Sequence, residues 1–181
     1  MSKGPLGFGP ASRSEAVVFG AQRPGYPGTS VGRSEVDEWI RFMQDQGIKR
    51  VVCLLPQGQL RYYSSLPGGL LGLYKEAFGE ERMHAADIED YHLCELVKLK
   101  KVLSFLSEAD AKREKVIVHC SGGLGRTGHV LAAWLVHGRG FDPGAALNAV
   151  IAMGRDPKEA IRAGHATEAE LLRLASCHAK R

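Results

Sequence analysis

The 181-residue chain lacks several features that would assign it to a specialised class of protein. Its longest uninterrupted apolar run covers residues 130–136, about a third of the roughly 20 residues that a membrane-spanning helix needs. Its first residues carry Lys3 but no apolar segment of the kind found in a secretory signal, so we expect no secretion. Its glycines and prolines follow no repeat, and no internal repeat of any kind is visible.

Cysteine is scarce and scattered. The four cysteines lie far apart in the chain: Cys53, Cys94, Cys120 and Cys177. They form no CxxC pair and have no zinc-ligand spacing with histidine, which excludes a zinc module and a small disulfide scaffold. Because scattered cysteines are typical of a reducing compartment, the sequence predicts a cytoplasmic protein without a metal site.

An extreme charge is also missing. The 24 basic and 20 acidic residues leave a formal charge of +4 with histidine neutral. This mild excess favours anionic ligands but lacks the density of a nucleic-acid-wrapping protein, so neither a specific nucleic acid nor a membrane is inferred as a partner. The length fits one domain with a short appendage, and 44% hydrophobic residues suffice for its core. We expect a flexible Gly/Pro-rich tail over residues 1–14 and one domain over residues 15–181.

Segments typical of strands and helices alternate along the chain. Strands are predicted at residues 15–20, 49–55 and 115–119, with a weaker one at 82–86. Helices are predicted at residues 34–47, 70–78, 92–107, 130–137, 143–153 and 167–178. This alternation predicts the α/β class: a single compact three-layer domain whose central, mostly parallel, twisted sheet is flanked by helices.

The candidate functional segment is residues 120–128, between a predicted strand and a predicted helix. Ligands of α/β sheets bind at the carboxyl ends of strands, where helix N-termini attract anions. Four glycines in this segment allow successive amides to turn inward, which predicts a nest for a tetrahedral oxyanion. The same amides would stabilise a thiolate on Cys120, the candidate nucleophile. Arg126 can bind two phosphate oxygens at once, and Thr127 brings a hydroxyl near the sulfur.

The residues from His119 to Gly128, HCSGGLGRTG, resemble the His-Cys-x5-Arg-Ser/Thr-Gly signature of protein tyrosine and dual-specificity phosphatases. The layout from about Val17 onward is similar to the compact atypical dual-specificity branch of that superfamily. The resemblance implies a dual-specificity phosphatase-like fold and hydrolysis of phosphomonoesters through a cysteinyl-phosphate intermediate on Cys120. It implies no metal or organic cofactor. The implied partner is a phosphorylated substrate, a phosphoprotein first of all, and the oligomeric state stays open.

The resemblance also implies roles for individual residues. Thr127 would assist the second chemical step, and His119 would orient the loop. The phosphate would be bound by the loop residues that follow the cysteine: Ser121, Gly122, Gly123, Leu124, Gly125 and Arg126.

A general acid is needed as well, and the family takes it from an aspartate on a mobile loop about thirty residues before the cysteine. Asp90 lies 120 − 90 = 30 residues before Cys120 and precedes an aromatic residue, Tyr91, as in related enzymes. The sequence departs from the family in having Glu89 where a proline is usual. Asp87 and Glu89 therefore stay open as alternatives to Asp90.

Other interpretations of the same loop fit less well. Residues 123–128 also satisfy G-x-G-x-x-G, but no second strand ending in an acid follows, as a dinucleotide site requires. A catalytically inactive phosphate-reading module would usually have lost the cysteine, the arginine or the aspartate. A sulfur-transfer enzyme carrying a persulfide on Cys120 would lack the Arg-Thr-Gly exit.

The substrate is less determined than the chemistry. No tyrosine-bearing deep-pocket loop is visible, so the family resemblance implies a shallower pocket that admits phosphoserine, phosphothreonine and phosphotyrosine. The loop interior has none of the lysines of phosphoinositide-specific relatives, whereas a phosphorylated small molecule or an RNA end stays open. Loops at residues 23–26, 61–63 and 154–158 are candidates for the rim of the pocket.

Overall fold

Five strands form one sheet in the computed structural model, which describes residues 4–177. The strands are β1 (Gly9–Pro10), β2 (Val18–Gln22), β3 (Ile48–Cys53), β4 (Met83–Ala85) and β5 (Lys115–Cys120). Their order is β1-β2-β5-β3-β4, and all neighbouring pairs are parallel except β1 with β2. The predicted α/β class and mostly parallel sheet are thereby confirmed. Because β5 is the central strand, the residues that follow it start from the middle of one sheet edge.

Helices cover both faces of the sheet. They are α1 (Arg33–Asp45), α2 (Gln57–Leu60), α3 (Gly69–Phe78), α4 (Leu96–Ala111), α5 (Gly125–Arg139), α6 (Pro143–Ala152), α7 (Glu159–Arg162) and α8 (Glu168–Ala175). One apolar cluster joins α1 and α3 to the sheet, and the other joins α4, α5, α6 and α8 to its opposite face. No helix within residues 4–177 is both long enough and apolar enough to cross a membrane.

The interior of the central strand, β5, is apolar throughout because both faces of the sheet are covered at this position. Val116 and Val118 belong to the cluster with α4 and α5, while Ile117 between them belongs to the cluster with α1 and α3. Successive side chains of a strand point to opposite faces, and both faces are covered here. A continuous apolar run is therefore required at this position, and Cys120 at its end belongs to the buried core.

Two helices begin at different positions from those predicted. The helix expected from residue 130 begins at Gly125, so Arg126 and Thr127 lie in its first turn. The helix expected over residues 92–107 begins at Leu96. Residues 92–95 lie outside it, and the Cys94 amide among them donates to the imidazole of His129 at 3.1 Å.

The amino-terminal segment differs from the flexible tail that we expected over residues 1–14. Of its described part, Gly9–Pro10 pairs with β2, and the ring of Phe8 stacks on Phe19 with centroids 5.1 Å apart. Ala11 is completely buried. The glycines and prolines here form tight turns against the sheet, and the few apolar side chains between them anchor the segment. Residues 1–3 lie outside the described residues.

Candidate active site

The loop between β5 and α5 is shaped by a glycine that no other residue could replace. Gly123 has a φ of +68°, in the left-handed region, and a Cβ at this position would lie 2.5 Å from the carbonyl oxygen of Ala21. Both observations require glycine. The loop can therefore turn tightly against β2 before α5 begins at Gly125.

Cys120 and Thr127 face each other across this loop. The Thr127 hydroxyl lies 3.1 Å from the Cys120 sulfur and can donate a hydrogen bond to it. Both residues are buried, with Cys120 only 2% exposed. Since α5 begins at Gly125, its first turn stands beside the sulfur, and the positive end of the helix dipole favours negative charge there.

Arg126 is buried and reaches from α5 to residues preceding the loop. Its Nη2 atom lies 2.8 Å from the Asp90 carboxylate, and its Nη1 atom donates to the Gln59 side-chain oxygen at 2.8 Å and to the Ile88 carbonyl at 3.2 Å. Within residues 4–177 its buried Nε atom has no hydrogen-bond partner. A buried donor without a partner is costly, and a phosphate oxygen is the kind of acceptor that would satisfy it.

The three acidic candidates for the general acid differ in their contacts. Asp90 pairs with Arg126, and its second carboxylate oxygen accepts from the Gln59 amide at 2.9 Å. Asp87 is exposed and pairs with Lys98 at 3.2 Å, whereas Glu89 is exposed. Of these three acidic side chains, Asp90 is therefore the one that contacts Arg126.

Two buried histidines support the loop from below. The His119 ring lies 3.0 Å from the Tyr74 hydroxyl and 3.1 Å from the carbonyl oxygen of Cys120. Because a carbonyl only accepts, Nδ1 of His119 carries the hydrogen. His129 makes the equivalent bond to the carbonyl of Gly125 at 3.1 Å. Burial lowers the pKa of each histidine to about 4, so both are neutral near pH 7.

Two arginines predicted to rim the pocket are instead buried against the loop. Arg23 is 2% exposed, and its Nε atom donates to the Ser121 hydroxyl at 3.0 Å. Arg155 is 3% exposed and donates to the carbonyls of Gly123 and Gly20, each at 2.7 Å. Burial lowers the pKa of Arg155 to about 10. Their guanidinium groups donate hydrogen bonds to the Gly123 carbonyl and to the Ser121 hydroxyl, and these bonds fix the shape of the loop.

Two rim candidates, Tyr26 and Arg61, do lie at the surface, and Tyr26 is beside the loop. It is 42% exposed, and its ring and hydroxyl lie 3.4 to 3.6 Å from where a Cβ on Gly122 would be. The Tyr26 ring therefore covers one side of the loop at Gly122. An aromatic ring in this position presents an apolar wall to whatever binds beside the loop.

Two site residues were not found from the sequence. Gln59, in α2, bridges Arg126 and Asp90 through its amide. Glu159, at the start of α7, lies against Gly125: its carboxylate occupies the space that a Cβ on Gly125 would need. Burial first and the nearby charge of Asp90 second raise the pKa of Glu159. Their only sequence signal was their position. Gln59 lies just after the carboxyl end of β3, and Glu159 lies just after the loop at residues 153–158.

A family model described as "Polymorphic toxin system, DSP-PTPase phosphatase" matches residues 28–139, more than half of the chain. The chain belongs to this DSP-PTPase phosphatase family. The matched range contains the whole segment from β3 to α5, including Asp90, Cys120 and Arg126. It ends before α7, so Glu159 lies outside the part of the chain that the family model describes.

Solved structures similar to this DSP-PTPase phosphatase agree in fold over most of the chain. Tk-PTP in its active form is 25% identical, with a TM-score of 0.66 over 90% of this chain and 92% of that one. Kinase associated phosphatase with its catalytic cysteine substituted by serine is 19% identical, with a TM-score of 0.65 over 87% and 83%. PTPMT1 in complex with PI(5)P is 15% identical, with a TM-score of 0.64 over 93% and 92%.

A curated relative is matched over a shorter stretch. An uncharacterized protein of Methanocaldococcus jannaschii is 40% identical over 47 residues, which is 26% of this chain and 30% of that protein. The chain thus matches less than a third of that relative's length.

The residues predicted for the site of this DSP-PTPase phosphatase lie together at the carboxyl end of β5. Cys120, the loop 121–125, Arg126 and Thr127 form its floor, and Asp90 reaches it from the loop before α4. In the described part of the chain, no group of three or more His, Cys, Asp and Glu side chains is arranged to hold a metal ion.

Proposed function

We propose that this phosphatase is a protein tyrosine or dual-specificity phosphatase that hydrolyses phosphomonoesters through a cysteinyl-phosphate intermediate on Cys120. The observation that carries the proposal is the arrangement at the start of α5. The Cys120 sulfur accepts a hydroxyl hydrogen bond from Thr127, and the Nε donor of the buried Arg126 has no partner in the described part of the chain. The amides of residues 121–125 would surround the oxygens of the phosphoryl group.

In the first step, the Cys120 thiolate attacks phosphorus and forms the sulfur–phosphorus bond while the bond to the leaving oxygen breaks. Asp90 gives its proton to that oxygen, so the product leaves as an alcohol or phenol. Nε and Nη2 of Arg126 share one edge of the guanidinium and would bind two phosphoryl oxygens. The dianionic phosphate competes with Asp90 for Nη2, which releases the carboxyl group toward the leaving oxygen.

In the second step, a water attacks phosphorus, and the Asp90 carboxylate takes its proton. The sulfur–phosphorus bond breaks, the thiolate returns and inorganic phosphate is released. The Thr127 hydroxyl donates a hydrogen bond to the departing sulfur, which carries negative charge at that moment. No electron transfer takes place, and every group regains its starting protonation state.

Phosphoproteins are the proposed substrates. The interior of the loop, residues 121–125, contains no lysine, so Arg126 is the cation that this segment offers to a phosphate. This suits a monoester better than a multiply phosphorylated lipid headgroup, although the similar PTPMT1 was solved with PI(5)P. We place the enzyme in the cytoplasm, because a reducing compartment keeps its four free cysteines as thiols.

The test is hydrolysis of p-nitrophenyl phosphate by freshly reduced protein with a chelator present. We expect activity in the wild type and in Cys177→Ser, a control cysteine near the end of α8, and none in Cys120→Ser. Chelator-sensitive activity that survives in Cys120→Ser would refute the mechanism. No activity in the reduced wild type would favour the phosphate-reading module. Phosphopeptides, PI(5)P and a phosphorylated RNA end, compared at equal concentration, then test the substrate class.

A further inference from the structure

Two stacked imidazole rings lie against the loop that carries Asp90. The rings of His92 and His165 have their centroids 4.0 Å apart and their planes 14° from parallel. His92 belongs to the loop itself, whereas His165 lies between α7 and α8. The family model ends at residue 139, so His165 is outside the range that it describes.

Each ring also holds a backbone carbonyl of the loop. Nδ1 of His92 lies 2.8 Å from the carbonyl oxygen of Asp90, and Nδ1 of His165 lies 3.0 Å from that of Tyr91. Because carbonyl oxygens only accept, both Nδ1 atoms carry a hydrogen. Two consecutive carbonyls are therefore bound by two rings that pack on each other.

The backbone between these carbonyls has an uncommon conformation. Tyr91 has a φ of +61°, in the left-handed region that residues with a bulky side chain rarely adopt. Its amide donates to the Asp90 carboxylate at 3.2 Å, so this conformation also fixes the Asp90 side chain. A strained backbone conformation of this kind persists only where contacts with the surrounding structure hold it in place.

The buried core does not provide the contacts that hold the Tyr91 conformation. Glu89, Tyr91 and His92 are exposed, and the nearest buried residues are Ile88 before them and Cys94 after them. On the side of α5 and α2, Arg126 and Gln59 hold the Asp90 carboxylate. On the other side, the histidine pair holds the backbone. Since both histidines are exposed, their stack contributes little to the core, and its contact with the loop is its main consequence.

We propose that the His92–His165 stack is a positioning device for the general acid: it ties the Asp90 loop to the segment between α7 and α8 and keeps the carboxyl group at the leaving oxygen. The proposal rests on the proposed function, because it assigns the pair to the proton transfer by Asp90. Neither histidine touches the reacting atoms.

The experiment separates the stack from the hydrogen bond at one position. His165→Asn keeps a side-chain N–H near the place of Nδ1 but removes the stacked ring, His165→Phe keeps the ring but removes the donor, and His165→Ala removes both. His137→Asn is the matched control, since His137 is an imidazole in the last turn of α5 that lies 3.0 Å from the Ser107 hydroxyl. Each variant is assayed with an alkyl phosphate and with p-nitrophenyl phosphate.

An alkyl leaving group needs the proton, whereas p-nitrophenolate needs little protonation. We expect kcat/KM for the alkyl phosphate to fall about tenfold in His165→Ala and about threefold in His165→Asn and in His165→Phe, the size of one stacking or hydrogen-bond contact. With p-nitrophenyl phosphate all four variants should stay within about twofold of the wild type. The His137→Asn control should change neither rate.

Two results for His165→Ala would overturn the proposal: rates that are unchanged with both substrates, or an equal loss with both, which a merely structural role would give. Cys120→Ser, assayed in parallel, separates this failure from that of the proposed function. Aryl phosphatase activity that survives in Cys120→Ser refutes the reaction itself. Activity that requires Cys120 but keeps the same ratio in every His165 variant refutes only the role of the pair.

Discussion

Replacing Arg126 by lysine keeps the positive charge and removes the planar fork. In the structure, Nη2 of Arg126 contacts the Asp90 carboxylate and Nη1 donates to the Gln59 oxygen, each at 2.8 Å, and the buried Nε atom has no partner within residues 4–177. An ammonium group is a compact point charge with three rotatable donors, and it lacks the planar fork that matches two phosphate oxygens. The variant therefore tests the fork and leaves the net charge of the site unchanged.

The size of the effect follows from the bonds that are lost. A hydrogen bond to a charged group contributes about 1.5–3 kcal/mol, and lysine would keep only one of the two that Nε and Nη2 make to phosphate. This loss of about 1.5–3 kcal/mol corresponds to a decrease of about 10- to 10²-fold in kcat/KM. The Gln59 oxygen, which accepts from Nη1, would lose a partner in the free variant as well, so that loss lowers the free energy of unfolding and not kcat/KM.

The assay is steady-state hydrolysis of p-nitrophenyl phosphate by Arg126→Lys and by Arg33→Lys. Arg33 is an exposed arginine of α1 that pairs with Asp37 at 2.8 Å, so its conservative variant controls for the change of side chain alone. Circular dichroism confirms that both variants fold. An Arg126→Lys enzyme within about tenfold of the wild type would lose less than ~1.4 kcal/mol and would refute the bidentate geometry.

Three further predictions concern the acid, the second step and the effect of pH on stability. Asp90→Ala should lower kcat/KM about 10²- to 10⁴-fold with an alkyl phosphate and far less with an aryl phosphate; equal losses would count against Asp90 as the acid. Thr127→Val removes the hydroxyl 3.1 Å from the sulfur of Cys120, so phosphoenzyme hydrolysis should slow about tenfold or more and a larger burst should appear in stopped-flow traces; an unchanged burst would contradict this. The pKa values of His119 and His129 fall from a usual 6.5 to about 4 on folding, so the unfolded chain binds more protons between these values. The free energy of unfolding in urea should therefore be constant above about pH 6.5 and decrease as the pH falls toward 4; a profile that is flat over this window would contradict it.

The part of the site that the sequence predicts well is the part encoded by neighbouring residues. Cys120, Arg126 and Thr127 lie within one turn of loop and one turn of helix, so their spacing fixes their geometry once a strand precedes and a helix follows. Asp90 could be proposed because a spacing typical of the family reaches it. The contacts that distinguish Asp90 from Asp87 come from the structure, because the sequence does not show which carboxylate meets Arg126 and which meets Lys98.

The remaining site residues depend on contacts between distant segments. Gln59 and Glu159 lie in helices of four residues, too short for a periodic pattern to mark them. The burial of Arg23 and Arg155 follows from loop carbonyls and a hydroxyl that appear only when the loop is folded. Charged residues in polar loops are usually solvated, so the loops of both arginines were candidates for the rim.

The same limit explains the amino-terminal segment. Its content of glycine and proline is typical of disorder, and composition alone gave a flexible tail over residues 1–14. Packing of Phe8 on Phe19 and pairing of Gly9–Pro10 with β2 are contacts with the folded sheet. Such contacts outweigh local composition wherever a short apolar anchor meets a matching surface.

The central claim, a covalent phosphoryl group on Cys120, is tested most directly by trapping it. Reduced enzyme is mixed with p-nitrophenyl phosphate, quenched in denaturant during turnover and digested for mass spectrometry. We predict that the peptide containing Cys120 gains the mass of one phosphoryl group in the wild type, gains more of it in Thr127→Val and gains none in Cys120→Ser. Turnover without phosphate on Cys120, or with phosphate on a different residue, would contradict the account.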